Sequence, residues 1–404
     1  MRVVVAGSGF SGSMVARGLS RKAGVEVVVV NADNFLLFTP MLAEAAVGDV
    51  DPRHIIAPIR QLAPQAKLVQ GVIESVDALT RRVVVNRLFG ETTESIAGDA
   101  LVLALGSVTN TYGVAGADER ALPFKTIVDA LRIRNRILAR MEAEGTVSVA
   151  VVGAGFSGAE LTAALADFLG EVHRRFYATG PAPTVTLVDA VDRITPALTS
   201  ALSESAARAL AKRDVRLVLG SPVTEVTEGG IRLENDAFVE AETVIWAAGI
   251  KPHPLLARTG VETESGKIPV DGHFRTAIDG VYAVGDAALS PRGDGGFSPP
   301  TAQFALRQGR YLGRNLDVIH TGRNVAPFSY STKGELVSLG HRNAVGRVLG
   351  VPVSGLIGWF LWRSYYLLQL PTNLRKARVA LDWTLDVFFP PDIAWLPSSD
   401  LGPL

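Results

Sequence analysis

The chain has 404 residues, 48% of them apolar and 20% charged, and its 40 Lys plus Arg balance 40 Asp plus Glu. That length carries two or three domains, that apolar content fills packed cores, and a neutral chain without a basic arm argues against nucleic acid as a partner. The absence of cysteine excludes a thiolate nucleophile, a CxxC redox pair and a cysteine-ligated metal or iron–sulfur site, and no metal centre is expected.

The opening MRVVVAGSGF runs straight into a strand with no secretory pattern before it, which predicts a cytoplasmic location. Residues 3–6 form the unbroken apolar run of a parallel strand buried on both faces. Gly7-Ser8-Gly9-Phe10-Ser11-Gly12 follows, then a helical stretch to about residue 21 and a second buried strand at 25–30, together a βαβ unit. Strands are predicted at 82–86 and 101–105, and a helix with polar and apolar faces at about 126–144. The opening pattern then recurs: a strand at 147–152, Gly153-Ala154-Gly155-Phe156-Ser157-Gly158, a helix from 158 and a strand at 184–188. Further strands are predicted at 215–219, 223–227, 231–233 and 243–247. A short strand at 281–284 precedes Gly285-Asp286, and residues 290–300 are a Gly/Pro-rich loop. From about residue 328 the character changes, and residues 351–370 (VPVSGLIGWFLWRSYYLLQL) are aromatic and apolar around a single Arg363.

In each glycine turn the three glycines divide the work. Gly7 and Gly153 permit the tight turn out of the strand, Gly9 and Gly155 let the backbone approach a pyrophosphate, and Gly12 and Gly158 let the helix pack close to the strand. The helix N-terminus then offers N–H groups and a positive dipole end to the phosphates. One such turn is a weak signal; two, each between a buried strand and a helix, predict two dinucleotide sites. Asp189 stands where an acid binds the ribose 2′-OH, which favours NADH over NADPH, although Arg193 lies nearby. The first unit has Asn31 at the matching place, with Asp33 two residues on.

Beyond the turns, residues 101–107 (LVLALGS), 244–256 (VIWAAGIKPHPLL) and 281–288 (VYAVGDAA) resemble the two-dinucleotide-binding-domain flavoprotein reductases, within the pyridine nucleotide-disulfide oxidoreductase superfamily. A narrower resemblance follows from residues 31–48 (NADNFLLFTPMLAEAAVG), 299–316 (PPTAQFALRQGRYLGRNL), 339–347 (LGHRNAVGR) and 354–370, which look like the type II NADH:quinone oxidoreductases, the single-subunit, non-proton-pumping NADH dehydrogenases. It covers nearly the whole chain.

The resemblance implies an α/β chain with two Rossmann-like domains. The FAD domain (1–112 and 268–327) is split by an inserted NADH domain (113–267), and 328–404 forms a C-terminal membrane-interface or dimerisation segment. It implies FAD on Gly7, Gly9, Phe10, Ser11, Gly12, Asn31, Ala104, Gly106, Asp286, Ala302 and Gln303, with Asp286 on the ribityl or pyrophosphate region. It implies NADH on Gly153, Gly155, Phe156, Ser157, Gly158, Glu160, Asp189, Ala248 and Gly249. Glu160, expected on the first turn of its helix, falls by resemblance near the nicotinamide–flavin junction, where it orients the nicotinamide or participates in proton delivery. Gln303 is placed to hydrogen-bond a quinone carbonyl, with Arg307 and Gln308 beside it. Three positions depart from the family pattern: Asn31 replaces the usual acid, and Leu36 and Thr39 stand where the family commonly shows His and Gln.

The implied reaction is hydride transfer from NADH to FAD and then reduction of a quinone, with the protein stacking rings, tuning charge and excluding water. Pro299 and Pro300 break the chain, Thr301 is a plausible cap, and the helix that begins at Ala302 and Gln303 is expected to aim its N-terminus at the flavin. His54 and His341 are candidate proton donors, but a lone histidine is more often structural.

Helical spacing in 351–370 puts Ile357, Phe360, Leu361, Ser364, Tyr365 and Leu368 on one broad face, and Trp359, Trp362 and Tyr366 add aromatic surface. A central Arg disfavours a spanning helix. A helix lying in the interface of the inner face of the cell membrane, beside Arg342, Arg347, Arg375, Lys376 and Arg378, is expected instead, with a buried helix or a homodimer contact as the other possibilities. Two rivals remain open: a soluble NADH-dependent flavoprotein reductase acting on a small electron-transfer protein or a specialised metabolite, and a redox-sensing protein without turnover.

Overall fold

The strands that lead into the two glycine turns are apolar after their first residues, Arg2 and Ser148, because the rest of each is buried on both faces. Along Arg2–Ala6, successive side chains point to opposite sides of the sheet: Val3 and Val5 enter one core, and Val4 and Ala6 the other. The neighbouring Glu26–Asn31 strand divides Val27 and Val29 from Val28 and Val30 in the same way. The computed structural model describes residues 1–90, 92–293, 295–332 and 334–395. Asp294 of the Gly/Pro-rich loop and residues 396–404 of the C-terminal segment lie outside the described residues.

The chain divides into two units. The first comprises Met1–Phe38, Ile56–Val108 and Ile250–Thr332. Its sheet runs in the order Val281–Ala283, Ala100–Leu103, Arg2–Ala6, Glu26–Asn31, Lys67–Asp77, Arg82–Arg87, Thr93–Ala97. The first five strands are parallel and the last two extend the sheet antiparallel. The chain proceeds to one side of Arg2–Ala6 and later returns on the other. Strand order therefore reverses at that strand's end, where open α/β sheets bind their ligands. Helix Phe10–Leu19 is packed backbone to backbone on helix Ala302–His320. A Cβ at Gly309 would lie 2.3 Å from the Ser11 carbonyl oxygen and one at Gly313 2.7 Å from that of Met14, so the glycines of the RQGRYLG stretch are contact surfaces, not breaks.

The second unit comprises Thr39–Ile55, Thr109–Gly249 and the described part of Lys333–Leu404. Its five parallel strands run in the order Leu122–Pro123, Thr243–Trp246, Ser148–Val152, Thr184–Val188, Arg216–Val218. Ala150 and Val152 pack with Val226, Ile231 and Val239 of a three-stranded antiparallel sheet. Helix Ile127–Glu144 opens with a capping box, in which Thr126 Oγ1 accepts the Asp129 N–H at 3.1 Å and the Asp129 carboxylate accepts the Thr126 N–H at 2.7 Å. The α/β class with two Rossmann-like units, the first interrupted in sequence by the second, is as the sequence predicts.

The C-terminal stretch corrects three expectations. Residues 351–370 are not one helix: Val351–Ser354 is a strand paired antiparallel with Ala344–Val348, and the helix is Gly355–Gln369. Within it, a Cβ at Gly358 would lie 2.6 Å from the Ala344 carbonyl oxygen, so glycine there lets the helix lean on the preceding strand. Trp362 is not surface: it is 1% exposed, and its indole N–H donates to Glu160. Arg375 is not an interface cation, being buried with its guanidinium donating to the Arg53 carbonyl oxygen at 2.6 Å. Leu356, Ile357, Phe360 and Leu368 do face outward, each more than 60% exposed. No helix among the described residues is long and apolar enough to cross a membrane.

Candidate active site

The first cradle is built by steric necessity. Gly7 has φ +102°, and a Cβ there would sit 2.3 Å from the Ala104 carbonyl oxygen. A Cβ at Gly12 would lie 2.1 Å from the Gly7 carbonyl oxygen, whereas one at Gly9 meets nothing within 4 Å. Turn and packing glycines are thus enclosed while the middle one opens on free space, the arrangement a pyrophosphate needs to approach backbone N–H groups. Gly9 caps helix Phe10–Leu19 with no side-chain hydrogen bond and no acid in the first turn, so nothing repels an anion. Asn31, at the end of the second strand, accepts the Ser8 N–H on Oδ1 at 3.1 Å and donates to the Asp33 carbonyl at 2.9 Å.

The second cradle repeats each element. Gly153 has φ +108° with a Cβ position 2.6 Å from Ala248 N, Gly158's would be 1.8 Å from the Gly153 carbonyl oxygen, and Gly155's meets nothing within 4 Å. Asp189 takes the place of Asn31: one oxygen accepts the Ala154 N–H and the other the Val191 N–H at 2.9 Å. The amide in the first unit and the acid in the second therefore brace the same turn atom, which explains how Asn31 substitutes for an acid. Helix Phe156–Phe176 begins at Phe156, two residues before the expected start. Gly249 has φ +73° and abuts the Tyr112 ring, and the Trp246 indole donates to the Asn110 and Ala248 carbonyls at 2.9 Å each. Arg193 is engaged with Pro196 of its own loop and with Ser200, the first residue of the following helix.

In the first unit, Asp286 accepts the Ser107 hydroxyl at 2.6 Å, and Gln308 Oε1 accepts the Gly285 N–H at 2.8 Å. Gln308 is 2% exposed and clamps the Gly285-Asp286 turn. Gly106, φ +70°, opens on free space beside it. Thr301 caps helix Ala302–His320 by accepting the Phe304 N–H at 3.5 Å, as expected. Gln303 Oε1 accepts the Tyr330 hydroxyl at 3.0 Å, and the Arg307 guanidinium lies 4.1 Å over the Tyr330 ring. Leu36 is 1% exposed in the core of this unit with Ala57 and Ile59; the departure from histidine is a packing residue here.

In the second unit Glu160 is the fifth residue of its helix, in the second turn and not the first as expected, because the helix starts earlier. Its carboxyl is enclosed: Oε1 accepts the Ser338 N–H at 3.1 Å and the Trp362 indole N–H at 3.2 Å. Burial pushes it up to about 8, against those two hydrogen bonds, which favour the anion. A narrow cleft of about 20 Å³, room for roughly one water molecule, is lined by Glu160, Glu44, Asp49, His341, Trp362 and Arg363 among others. Burial likewise pushes Glu44 up to about 8, opposed by Arg363. His341 Nε2 lies 3.4 Å from Asp49 and 3.9 Å from Asp386, and the hydrogen-bonded Asp49 raises it to about 9. His54 is paired with Asp382 at 2.6 Å.

Two acids with raised values have a consequence for stability. Each holds a proton in the folded chain that it releases when unfolded between about pH 4.5 and 8, so the unfolded state binds fewer protons there and stability falls as pH rises through that window. The expected result is a Tm that declines from about pH 5 to about pH 8, with a shallower decline in the Glu44→Gln/Glu160→Gln double variant. Equal slopes in thermal melts across that range would contradict it.

Glu44, Trp362, Tyr330 and the clamp role of Gln308 were not assigned from sequence. Glu44 did leave a signal, as the one charge in the apolar run PMLAEAAV. The sequence model of the family described as "Pyridine nucleotide-disulphide oxidoreductase" matches residues 1–309. A Dictyostelium discoideum protein named "Probable NADH dehydrogenase" is 28% identical, with 97% of this chain and 91% of that protein covered. A Staphylococcus aureus protein named "Type II NADH:quinone oxidoreductase" is 26% identical over 88% of this chain and 91% of its own. The structure of NDH2 from Plasmodium falciparum in complex with NADH shares the fold, with a TM-score of 0.90 at 18% identity, over 97% of this chain and 99% of that one.

Proposed function

We propose, on the premise that the chain belongs to the pyridine nucleotide-disulphide oxidoreductase family, that it is an FAD-dependent NADH:quinone oxidoreductase of the type II, non-proton-pumping kind. The observation that carries this reading is the duplicated cradle in a chain without cysteine. Two open glycine turns accept two dinucleotides. With no cysteine, the chain has no internal redox disulfide to receive electrons, so they must pass directly to an external acceptor. The similarity to proteins named NADH dehydrogenase and NADH:quinone oxidoreductase supports a quinone as that acceptor.

Bound FAD would supply the two-electron relay between NADH and the quinone. In this reading residues 1–112 and 268–327 bind FAD, 113–267 bind NADH, and 328–404 serve membrane contact or dimerisation. Gly7, Gly9, Phe10, Ser11 and Gly12 hold the FAD pyrophosphate on backbone N–H groups, Asn31 faces its ribose, and Ala104, Gly106 and Asp286 receive the ribityl portion. Ala302 and Gln303, at the N-terminal end of their helix, would offer the FAD ring a positive dipole end that favours negative charge. Gly153, Gly155, Phe156, Ser157 and Gly158 hold the NADH pyrophosphate, Asp189 its ribose, and Ala248 and Gly249 the nicotinamide side. Glu160, protonated at neutral pH, orients the nicotinamide or gives a proton to the acceptor. Gln303 hydrogen-bonds a quinone carbonyl.

The test is anaerobic rapid mixing. NADH should bleach the yellow protein, and a short-chain quinone should restore the colour. Recolouring only by a protein acceptor or by one particular metabolite would favour a soluble reductase instead.

Asp189 carries a second expectation. Its carboxylate would repel a 2′-phosphate, so kcat/KM for NADH should exceed that for NADPH by about 100-fold or more, and Asp189→Ser should narrow the gap. Equal use of both nucleotides by the unaltered protein would contradict it.

The exposed Ile357, Phe360 and Leu368, with Leu374, Leu381 and Phe388 of the following segment, support peripheral membrane contact of residues 351–370. The protein should sediment with anionic vesicles and Ile357→Glu/Phe360→Glu should not. A wild type that stays in the supernatant while forming a stable homodimer would assign this face to the dimer.

A further inference from the structure

Resting on the reading above, we propose that Glu44 is a second proton-holding residue of the reaction: it passes protons to Glu160 through the water-sized cleft that both line, and it is refilled from the half-exposed His341 lining the same cleft.

The stoichiometry creates the need. NADH delivers two electrons and one proton as a hydride, and a quinone requires two electrons and two protons. Each turnover, NADH + H⁺ + quinone → NAD⁺ + quinol, therefore draws one proton from water. Glu160 is the acid assigned to the reacting centre, and its carboxyl is enclosed by Ser338 and Trp362. Glu160 is only partly exposed, and a proton spent there is replaced through the cleft that it shares with Glu44.

The simplest rival role for Glu44 is a structural ion pair with Arg363. The geometry is poor for one. The nearest approach is 3.9 Å, with the two side chains 11% and 12% exposed. Arg363 Nε is buried without a hydrogen-bond partner, and its guanidinium instead lies 4.2 Å over the Trp359 ring and 4.6 Å over that of Trp383. A buried carboxylate matched to an arginine makes short, often bidentate hydrogen bonds; Glu44 accepts one, from the Trp383 indole at 3.2 Å. The aromatic rings satisfy the cation, and the acid is left in the form that needs least compensation, the protonated one.

The charged groups around Glu44 come from each element packed on it: Arg363 from Gly355–Gln369, Glu160 from Phe156–Phe176, and Asp49 from the loop after its own helix Leu42–Val47. Asp49 and Glu160 oppose its ionisation and Arg363 favours it. His341 is faced by Asp49, Asp167 and Asp386, and its side chain is 52% exposed. Glu160 and Glu44 at about 8 and His341 at about 9 hold protons with similar affinity, so passage along them is not steeply uphill. When Glu160 releases its carboxyl proton to the acceptor, the proton of the Glu44 O–H crosses a cleft water to the Glu160 carboxylate. His341, whose Nε2 faces Asp49 and Asp386, then reprotonates Glu44 through water in the cleft that both line, and solvent reprotonates the imidazole. No electrons move along this route.

The test uses the full-length FAD-loaded protein. Glu44→Gln keeps the volume and an oxygen for Trp383. It is expected to slow reoxidation of the NADH-reduced protein by a short-chain quinone about tenfold or more, to enlarge the solvent deuterium effect on that step, and to change its pH profile. Glu44→Asp should restore part of the rate. Infrared titration of the unaltered protein, which needs no turnover, should show two protonated carboxyls that ionise near pH 8, one of them absent in E44Q. An E44Q protein whose reoxidation rate, isotope effect and pH profile match wild type overturns the proposal and leaves the functional reading standing. So does a Glu44 band already ionised at about pH 6. A wild type that reduces no quinone overturns both.

Discussion

Gly12→Ala is expected to purify as a colourless protein without FAD, and Gly158→Ala as a yellow protein that NADH no longer bleaches. Both substitutions add one methyl group to a helix, where alanine is otherwise favoured. Here the methyl would lie 2.1 Å from the Gly7 carbonyl oxygen in one case and 1.8 Å from that of Gly153 in the other. No real Cβ sits so close, and the obstacle is backbone, which cannot rotate away. The helix must retreat from its strand, and its first-turn N–H groups move off the pyrophosphate position. Overpacking of this kind costs about 1–3 kcal/mol of stability, but the loss of binding should be larger, because every backbone donor shifts together. Gly9→Ala and Gly155→Ala are the controls. Their Cβ atoms meet nothing within 4 Å, so folding should be unaffected while nucleotide affinity falls through intrusion into the open cradle. Absorbance spectra and anaerobic NADH titration separate the outcomes. A Gly158→Ala protein bleached by NADH at the wild-type rate would contradict the second cradle's assignment.

Glu160→Gln is expected to lower quinone reductase turnover by about 100-fold while the protein melts no lower than wild type above about pH 8. The amide keeps an oxygen to accept the Ser338 and Trp362 N–H groups, so no buried donor is orphaned, whereas Glu160→Ala would strand both at about 1–3 kcal/mol each. What the amide removes is the exchangeable proton. Because burial raises the acid to about 8, wild type holds that proton at neutral pH. Its quinone step should be fast below that value and fall as pH rises through it. The Gln variant should be slow at every pH and lack that limb. A wild-type profile flat from about pH 6 to 9, or a Gln variant with wild-type turnover, would show that the carboxyl only packs.

The two predictions also mark where the sequence is informative. The glycine turns are legible because most of their requirements are local: the strand, the sign of φ, and the clearance of Gly12 and Gly158 to the carbonyls of Gly7 and Gly153, whereas the approach of Gly7 to Ala104 and of Gly153 to Ala248 comes from distant strands. The Thr301 cap is legible for the same reason. The cleft is not local. Glu44 meets a tryptophan 339 positions later and Glu160 one 202 positions later, and no short-range pattern records such pairings. Arg375 reads as one of several exposed cations beside an apolar helix but is buried, with its guanidinium donating to the carbonyl of Arg53, 322 positions earlier. Residues 351–370 read as one apolar helix because the hydropathy is continuous, but Val351–Ser354 finds a strand partner in Ala344–Val348, and available backbone pairing overrides the run. Gly309 and Gly313 were visible as a motif, but their purpose, admitting the Phe10–Leu19 helix, appears only with both helices in place.

The central claim is that the chain passes electrons from NADH to bound FAD by hydride transfer. The most direct measurement is anaerobic bleaching by NADH carrying deuterium on one or the other face of nicotinamide C4. The account predicts slower bleaching with one labelled face and an unchanged rate with the other, because a fixed nicotinamide offers a single face to the FAD ring. Equal rates with both labels, or NADH binding without bleaching, would contradict it.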